Sequence, residues 1–169
     1  MLQFKTRRLE IGPMSQEHKD AILDLLTNEI VGRTYMLPEF KSREEAEPLF
    51  RRLVDLSNAP DRYVSGIYYN GAFIGMMNET EVKDHQIEMG YALLPAFYNK
   101  GFATEAFFGA IEYLHSHGFK VVIAGAFLEN TASIRVMEKC GMQRLEHTDE
   151  VEYRGAVQTC VYYASTNRE

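Results

Sequence analysis

The sequence predicts an α+β fold: a mixed, mostly antiparallel sheet of about seven strands flanked by about four helices. Three observations lead there. Apolar residues recur at helical spacing within 15–30 and 43–58, then switch to alternation of period two from residue 62. Asn70-Gly71 lies between two alternating runs, and both residues tolerate the positive φ of a type I′ hairpin turn. A further alternating pair closes the chain around Arg154-Gly155.

In chain order, "RRLEIGPM" reads as a short strand ending at Pro13. Ser15 then offers an N-cap for an amphipathic helix over "SQEHKDAILDLLTNEI", with Ala21, Ile22, Leu25, Leu26 and Ile30 on its apolar face. The irregular stretch "VGRTYMLPEF" follows. Ser42 caps a second helix, "REEAEPLFRRLVDLSN", whose stripe is Leu49, Phe50, Leu53, Val54 and Leu56, with Pro48 near its first turn and able to delay its start. "RYVSGIYY" and "AFIGMMNETEV" are the two arms of the Asn70-Gly71 hairpin. "HQIEMGYALL" is a third strand with a bulky face of Ile87, Met89, Tyr91 and Leu93 and a second face of Glu88, Gly90 and Ala92, small beyond the glutamate. A helix over "GFATEAFFGAIEYLHSHG", a buried strand "KVVIAGAF", a short helix "NTASIRVMEKCG" and the closing hairpin complete the order. No linker, repeat or low-complexity segment divides residues 1–169, so one domain is expected.

Composition narrows the function. A hydrophobic content of 46% with 25% charged residues is that of an ordinary globular protein, and no apolar run approaches the ~18 residues that span a bilayer. The opening "MLQFKTRRLEIG" lacks a secretory pattern, which makes the cytoplasm the expected compartment. Twenty-four acidic against eighteen basic residues give a net charge of -6, which repels a nucleic-acid backbone. Cys140 and Cys160 supply neither a disulfide framework nor a metal-binding spacing, so no metal is expected.

The chemistry points to "YNKGFATEAF". A helix N-terminus carries unpaired N–H groups and the positive end of the dipole, so it can hold a phosphate. Gly101 and Ala103 keep the backbone accessible, Thr104 adds a hydroxyl, and Lys100 adds charge; a plain tight turn would also use such residues. Neither GxxxxGK[ST] nor GxGxxG is present, which removes the NTPase and dinucleotide readings. In context the chain resembles the GCN5-related N-acetyltransferase (GNAT) superfamily, in its ribosomal-protein N-terminal acetyltransferase branch. Glu88 to Tyr91 match the E-x-G-Y strand, Pro95 follows, and Tyr98 to Ala103 match the (Q/R)-x-x-G-x-(G/A) loop with Tyr98 as the departure. Asn130, Ser133, Val136, Lys139 and Gly141 match N-x-x-S-x-x-V-x-x-K-x-G.

That resemblance implies the GNAT fold, acetyl-coenzyme A as cofactor and a primary amine as acceptor. Asn99, Lys100, Gly101, Phe102, Ala103 and Thr104 would wrap the pyrophosphate. Leu93 and Leu94 would pair with pantetheine where two strands splay, backbone N–H groups near Tyr91 and Ala92 would hold the oxyanion, and Asn130 would contact the cofactor. An attacking amine must lose a proton, for which Glu88 is the candidate base; a paired or solvated carboxylate is the alternative. Ser133 would bind the cofactor and protonate the leaving thiolate, since the tyrosine that many relatives carry one turn later is Met137 here. Capping the short helix is the other role open to Asn130 and Ser133. Tyr35, Met36 and Phe40 are implied acceptor contacts. Cys140, at a helix end without an activating base, argues for direct transfer over an acyl-enzyme. The acceptor is a protein or peptide N-terminal α-amine, or a small-molecule amine such as a polyamine, amino acid or aminoglycoside. A non-catalytic acyl-coenzyme A-binding module is the alternative outside catalysis. The protein is expected to be a monomer or a homodimer, with the closing hairpin able to pair edge to edge.

Overall fold

The computed structural model describes residues 1–167, and among these the switch of period at residue 62 divides helices from sheet as expected. Strand β1 (Phe4–Lys5) pairs with β2 (Leu9–Gly12), which pairs with β3 (Ser65–Tyr69). Asn70 (φ 50°) and Gly71 (φ 79°) turn β3 into β4 (Ala72–Lys83), and β4 lies antiparallel to β5 (Gln86–Leu93). β6 (Val121–Phe127) is parallel to β5. The hairpin of β7 (Gln143–Tyr153) and β8 (Ala156–Thr166) turns on Arg154 (φ 51°) and Gly155 (φ 76°) and joins β6 through β8. The resulting sheet runs β1-β2-β3-β4-β5-β6-β8-β7.

Among the described residues this is one strand and one helix more than the sequence periodicity suggested. β1 spans two residues, too few to display a period, and is held by pairing of Phe4 with Ile11. The first predicted helix is divided. The Ser15 hydroxyl does not cap a backbone N–H but lies 3.3 Å from His18 Nδ1, a 3₁₀ turn intervenes, and α1 begins at Lys19 and ends at Leu26. Asn28 then accepts from Ile30 and Val31 N–H at 3.0 and 3.1 Å, starting a new short helix, α2 (Glu29–Gly32). Ile30 therefore leaves the apolar stripe and is 52% exposed. α3 (Arg43–Asn58) is capped by the Ser42 hydroxyl, which accepts from Glu45 N–H. Pro48 does not delay it; the helix runs through the proline, which removes one N–H near its N-terminal end.

The two faces of β5 sort the core. Ile87, Met89 and Leu93 pack with Phe107, Ile111 and Leu114 of α4 (Phe102–Ser116) and Met137 of α5 (Thr131–Lys139). Ala92, on the other face, joins the core of α1, α2 and α3 with Phe50, Phe73 and Met76. Among the described residues no helix is long and apolar enough to cross a membrane.

What positions the site is the short join of β5 to β6. Their register covers Gln86 to Glu88 against Val121 to Ile123. Beyond it β5 stays paired with β4 as far as Leu93, and β6 with β8 as far as Phe127. Thr80 is an extra residue in β4 opposite Glu88 and Met89, and a bulge there adds twist where the strands part.

Candidate active site

At one end of the gap, α4 begins without a side-chain cap. Gly101 occupies the cap position at φ 78°, and the first helical bond runs from Glu105 N–H to Gly101 O at 3.0 Å. The preceding amides, Phe102, Ala103 and Thr104, have no partner within the helix and mark its positive end. Asn99, at φ 58°, adds a second left-handed residue, so the loop curls its N–H groups into a concavity.

The chain entering β2 braces this loop from behind. Arg8 Nη1 donates to the Lys100 carbonyl at 3.1 Å, its Nε pairs with Glu105 at 2.6 Å, and its guanidinium lies 4.4 Å from the centre of the Phe102 ring. Glu105 also accepts from the Thr6 hydroxyl and the Arg8 N–H, each at 2.7 Å. Burial works to raise its pKa, but these hydrogen bonds prevail and hold the carboxyl below its ordinary range. Nothing in local sequence ties position 8 to position 105.

Lys100 was the expected source of charge for this end. Its ammonium instead donates to the Ala96 carbonyl at 2.9 Å and does not line the cleft, whereas Arg135 and Lys139, one turn apart on α5, do. The middle of the gap is backbone. Leu93 lines it, but the Leu94 N–H is taken by the Ile74 carbonyl at 2.8 Å and Leu94 is not part of the lining.

At the far end lies the small face of β5. Glu88 is half-buried there, and among the described residues it forms no ion pair. Burial raises its pKa above the usual value; a hydrogen bond from Thr80 opposes that, and the like charges of Glu81 and Asp149 add to it. Gly90 makes room for Tyr35: a Cβ at position 90 would stand 3.3 Å from the Tyr35 ring. The Tyr35 hydroxyl donates to Asn78 Oδ1, and burial pushes its pKa far up, so it stays a neutral donor. Gly125 of β6 similarly admits the Tyr162 ring, whose hydroxyl donates to Asp149 at 3.0 Å. Tyr162, Asn78 and Gly125 come from strands far apart in sequence and carry no local motif.

α5 closes the other wall. The Asn130 side chain accepts from Ser133 N–H at 3.2 Å, so it caps the helix and also lines the cleft. Ser133 sits in the first turn, its carbonyl accepting from the Tyr91 hydroxyl at 3.3 Å. Met137 is fully buried in the core. Cys140 is buried beneath the helix end and its thiol is pushed up to about 11 by burial, which leaves almost no thiolate at neutral pH.

Glu88, Leu93, Asn99, Gly101, Phe102, Ala103, Thr104, Asn130, Ser133, Tyr35 and Met36 thus line one continuous cleft of about 660 Å³. Phe40 does not; it packs on the α1–α3 core. Within the cleft lie an uncapped helix N-terminus, two parted strand edges and a desolvated carboxylate.

The acetyltransferase (GNAT) domain model matches residues 8–143, the greater part of the chain. The chain belongs to the GNAT acetyltransferase family. Its GNAT relatives include the "Uncharacterized N-acetyltransferase YoaA" of Bacillus subtilis (strain 168), 27% identical over 146 residues, covering 83% of this chain and 82% of that one. Among solved GNAT structures, an acetyltransferase from Bacillus anthracis superposes with a TM-score of 0.84 at 23% identity, covering 98% of both chains. RimL, a ribosomal L7/L12 alpha-N-protein acetyltransferase solved in complex with coenzyme A, superposes at 0.83 with 17% identity over 95% of both. These likenesses establish the GNAT fold for the parted sheet described above.

Proposed function

We propose that the protein transfers an acetyl group from acetyl-coenzyme A directly to a primary amine. One observation carries this reading: the β5–β6 gap runs from the uncapped start of α4 at one end to Glu88 at the other. The free N–H groups of Phe102, Ala103 and Thr104, with Arg135 and Lys139 beside them, suit a pyrophosphate. The edges of β5 and β6 offer hydrogen bonds to an extended amide-bearing chain, as an added strand would take them. The bound thioester supplies the acetyl group. Glu88 takes one proton from the acceptor ammonium, backbone N–H groups near Tyr91 and Ala92 hold the developing oxyanion, and as the tetrahedral adduct collapses the second amine proton passes through the Ser133 hydroxyl to the departing sulfur. Buried, reduced Cys140 and Cys160 suit a cytoplasmic setting.

The acceptor favoured is a peptide or protein α-amine. The RimL likeness supports it, as does the open mouth of the cleft, where Ile30 and Met36 are 52% and 56% exposed and leave room for the chain behind the amine. A cationic small molecule is the second reading, favoured by Glu81 and Asp149 near Glu88. Thiol release from acetyl-coenzyme A, measured with peptides, polyamines, amino acids and aminoglycosides beside calorimetric binding of the cofactor, tests both. Turnover with peptides is expected; tight cofactor binding with no turnover on any amine points to a sensing module instead.

Direct transfer has its own check. Cys140→Ala is expected to keep kcat within about twofold, because a thiol with so little thiolate cannot carry the acyl group. Mass spectrometry of wild-type protein incubated with acetyl-coenzyme A alone should find no acetylated cysteine.

A further inference from the structure

We propose that Tyr153 is a positioning residue for the acceptor side of the cleft: from the tip of the closing hairpin it ties down the irregular chain after α2, and so sets Tyr35. The proposal rests on the acetyl-transfer reading of the cleft and assigns a determinant of acceptor affinity within it.

Tyr153 is the last residue of β7 before the Arg154-Gly155 turn. Its ring packs against Phe127 at the end of β6, with centroids 5.5 Å apart, and Phe127 itself lines the cleft. Its hydroxyl donates to the Gly32 carbonyl at the end of α2, accepts from the Leu37 N–H at 3.3 Å, and lies 3.2 Å from the Tyr35 carbonyl. One side chain thus bonds two points, Gly32 and Leu37, of a segment 116 to 121 residues away in sequence, with Tyr35 between them.

Side chains anchor the tethered segment, with Leu37 and Phe40 on the helical core and the Tyr35 hydroxyl on Asn78, but its backbone has few hydrogen bonds of its own. After α2 the chain is irregular until Ser42, and the Tyr35 N–H bond to the Val31 carbonyl is the last helical one. Yet Thr34, Tyr35 and Met36 line the cleft, and Tyr35 stands against Gly90, on the strand that carries Glu88, and against Asn78 of β4. A loop with few internal bonds samples many conformers unless an external contact selects one. Tyr153 supplies that contact, and its partners there are Gly32 and Leu37 rather than residues of α4.

Tyr153→Phe keeps the ring on Phe127 and removes only the hydroxyl. Amide exchange at Leu37 and its neighbours is expected to accelerate at least about tenfold, the loss of one hydrogen bond. With the best amine from the acceptor panel, KM for that amine is expected to rise about tenfold, while kcat and KM for acetyl-coenzyme A stay within about twofold. A merely structural hydroxyl would lower thermal stability without splitting the two KM values. Unchanged exchange overturns the tether, and faster exchange with an unchanged acceptor KM overturns its role in the site. Should no amine turn over, the acetyl-transfer reading fails, and exchange still decides whether Tyr153 holds the segment.

Discussion

Glu88→Gln is expected to lower kcat about a hundredfold at neutral pH, the low end of what a positioned general base contributes. The amine must shed a proton before attack, and Gln cannot accept one. In the wild type, the rate should climb with pH through an apparent pKa above the ordinary carboxylate value, because burial among Glu81 and Asp149 raises that of Glu88. In the variant this limb should vanish, and activity should return only toward the pKa of the amine itself, roughly 8 to 10. Stability should move the other way. A carboxyl whose folded-state pKa lies above its unfolded value favours folding in its protonated form, and that advantage is lost as pH rises through the folded pKa. At neutral pH the ionised side chain is therefore a burden that Gln lifts, and the melting temperature should not fall. A variant that keeps its rate across pH would remove Glu88 from the mechanism.

Gly101→Val carries the second large effect. A β-branched residue at φ 78° is strained by roughly 1–2 kcal/mol, and its Cβ would stand 3.4 Å from Arg8 Nη2, which the Glu105 and Lys100 contacts keep from yielding. Relief of that strain displaces the first turn of α4 and with it the amides that face the phosphates. Affinity for acetyl-coenzyme A is expected to drop at least about a hundredfold, or ~2.7 kcal/mol. Gly71→Val is the control: it sits at φ 79° with nothing within 4 Å, so it shares the backbone strain but touches no site. Equal loss of stability in both variants, with loss of cofactor binding in position 101 alone, separates the loop's role from folding. Calorimetric titration beside thermal melts reads both quantities.

Local signals carried into the structure where the physics is local. Asn70-Gly71 turns a hairpin because both residues tolerate positive φ, Gly155 does the same beside Arg154, and the alternation around Glu88 sorts side chains because a strand alternates whatever its neighbours are. Ser15 shows where local rules stop: a cap residue in the right place bonded the His18 ring instead, and Asn28 took over the start of a new helix. Lys100 and Phe40 point away from the cleft for reasons of loop geometry that composition does not encode. Arg8 and Tyr153 act through partners 97 and 121 residues away, so only the folded sheet brings their roles into view.

The parting of β5 and β6 leaves the sheet as two plates hinged on three residue pairs. If acetyl-coenzyme A is what bridges them, the missing rungs at the middle of the fold belong to a diffusible metabolite. Resistance to unfolding then becomes a function of supply, growing as RT ln(1 + [L]/Kd), ~2.7 kcal/mol at a hundredfold excess over Kd. A cell short of acyl donor would hold this protein in its looser, more readily digested form, so its abundance as well as its turnover would follow the metabolic state.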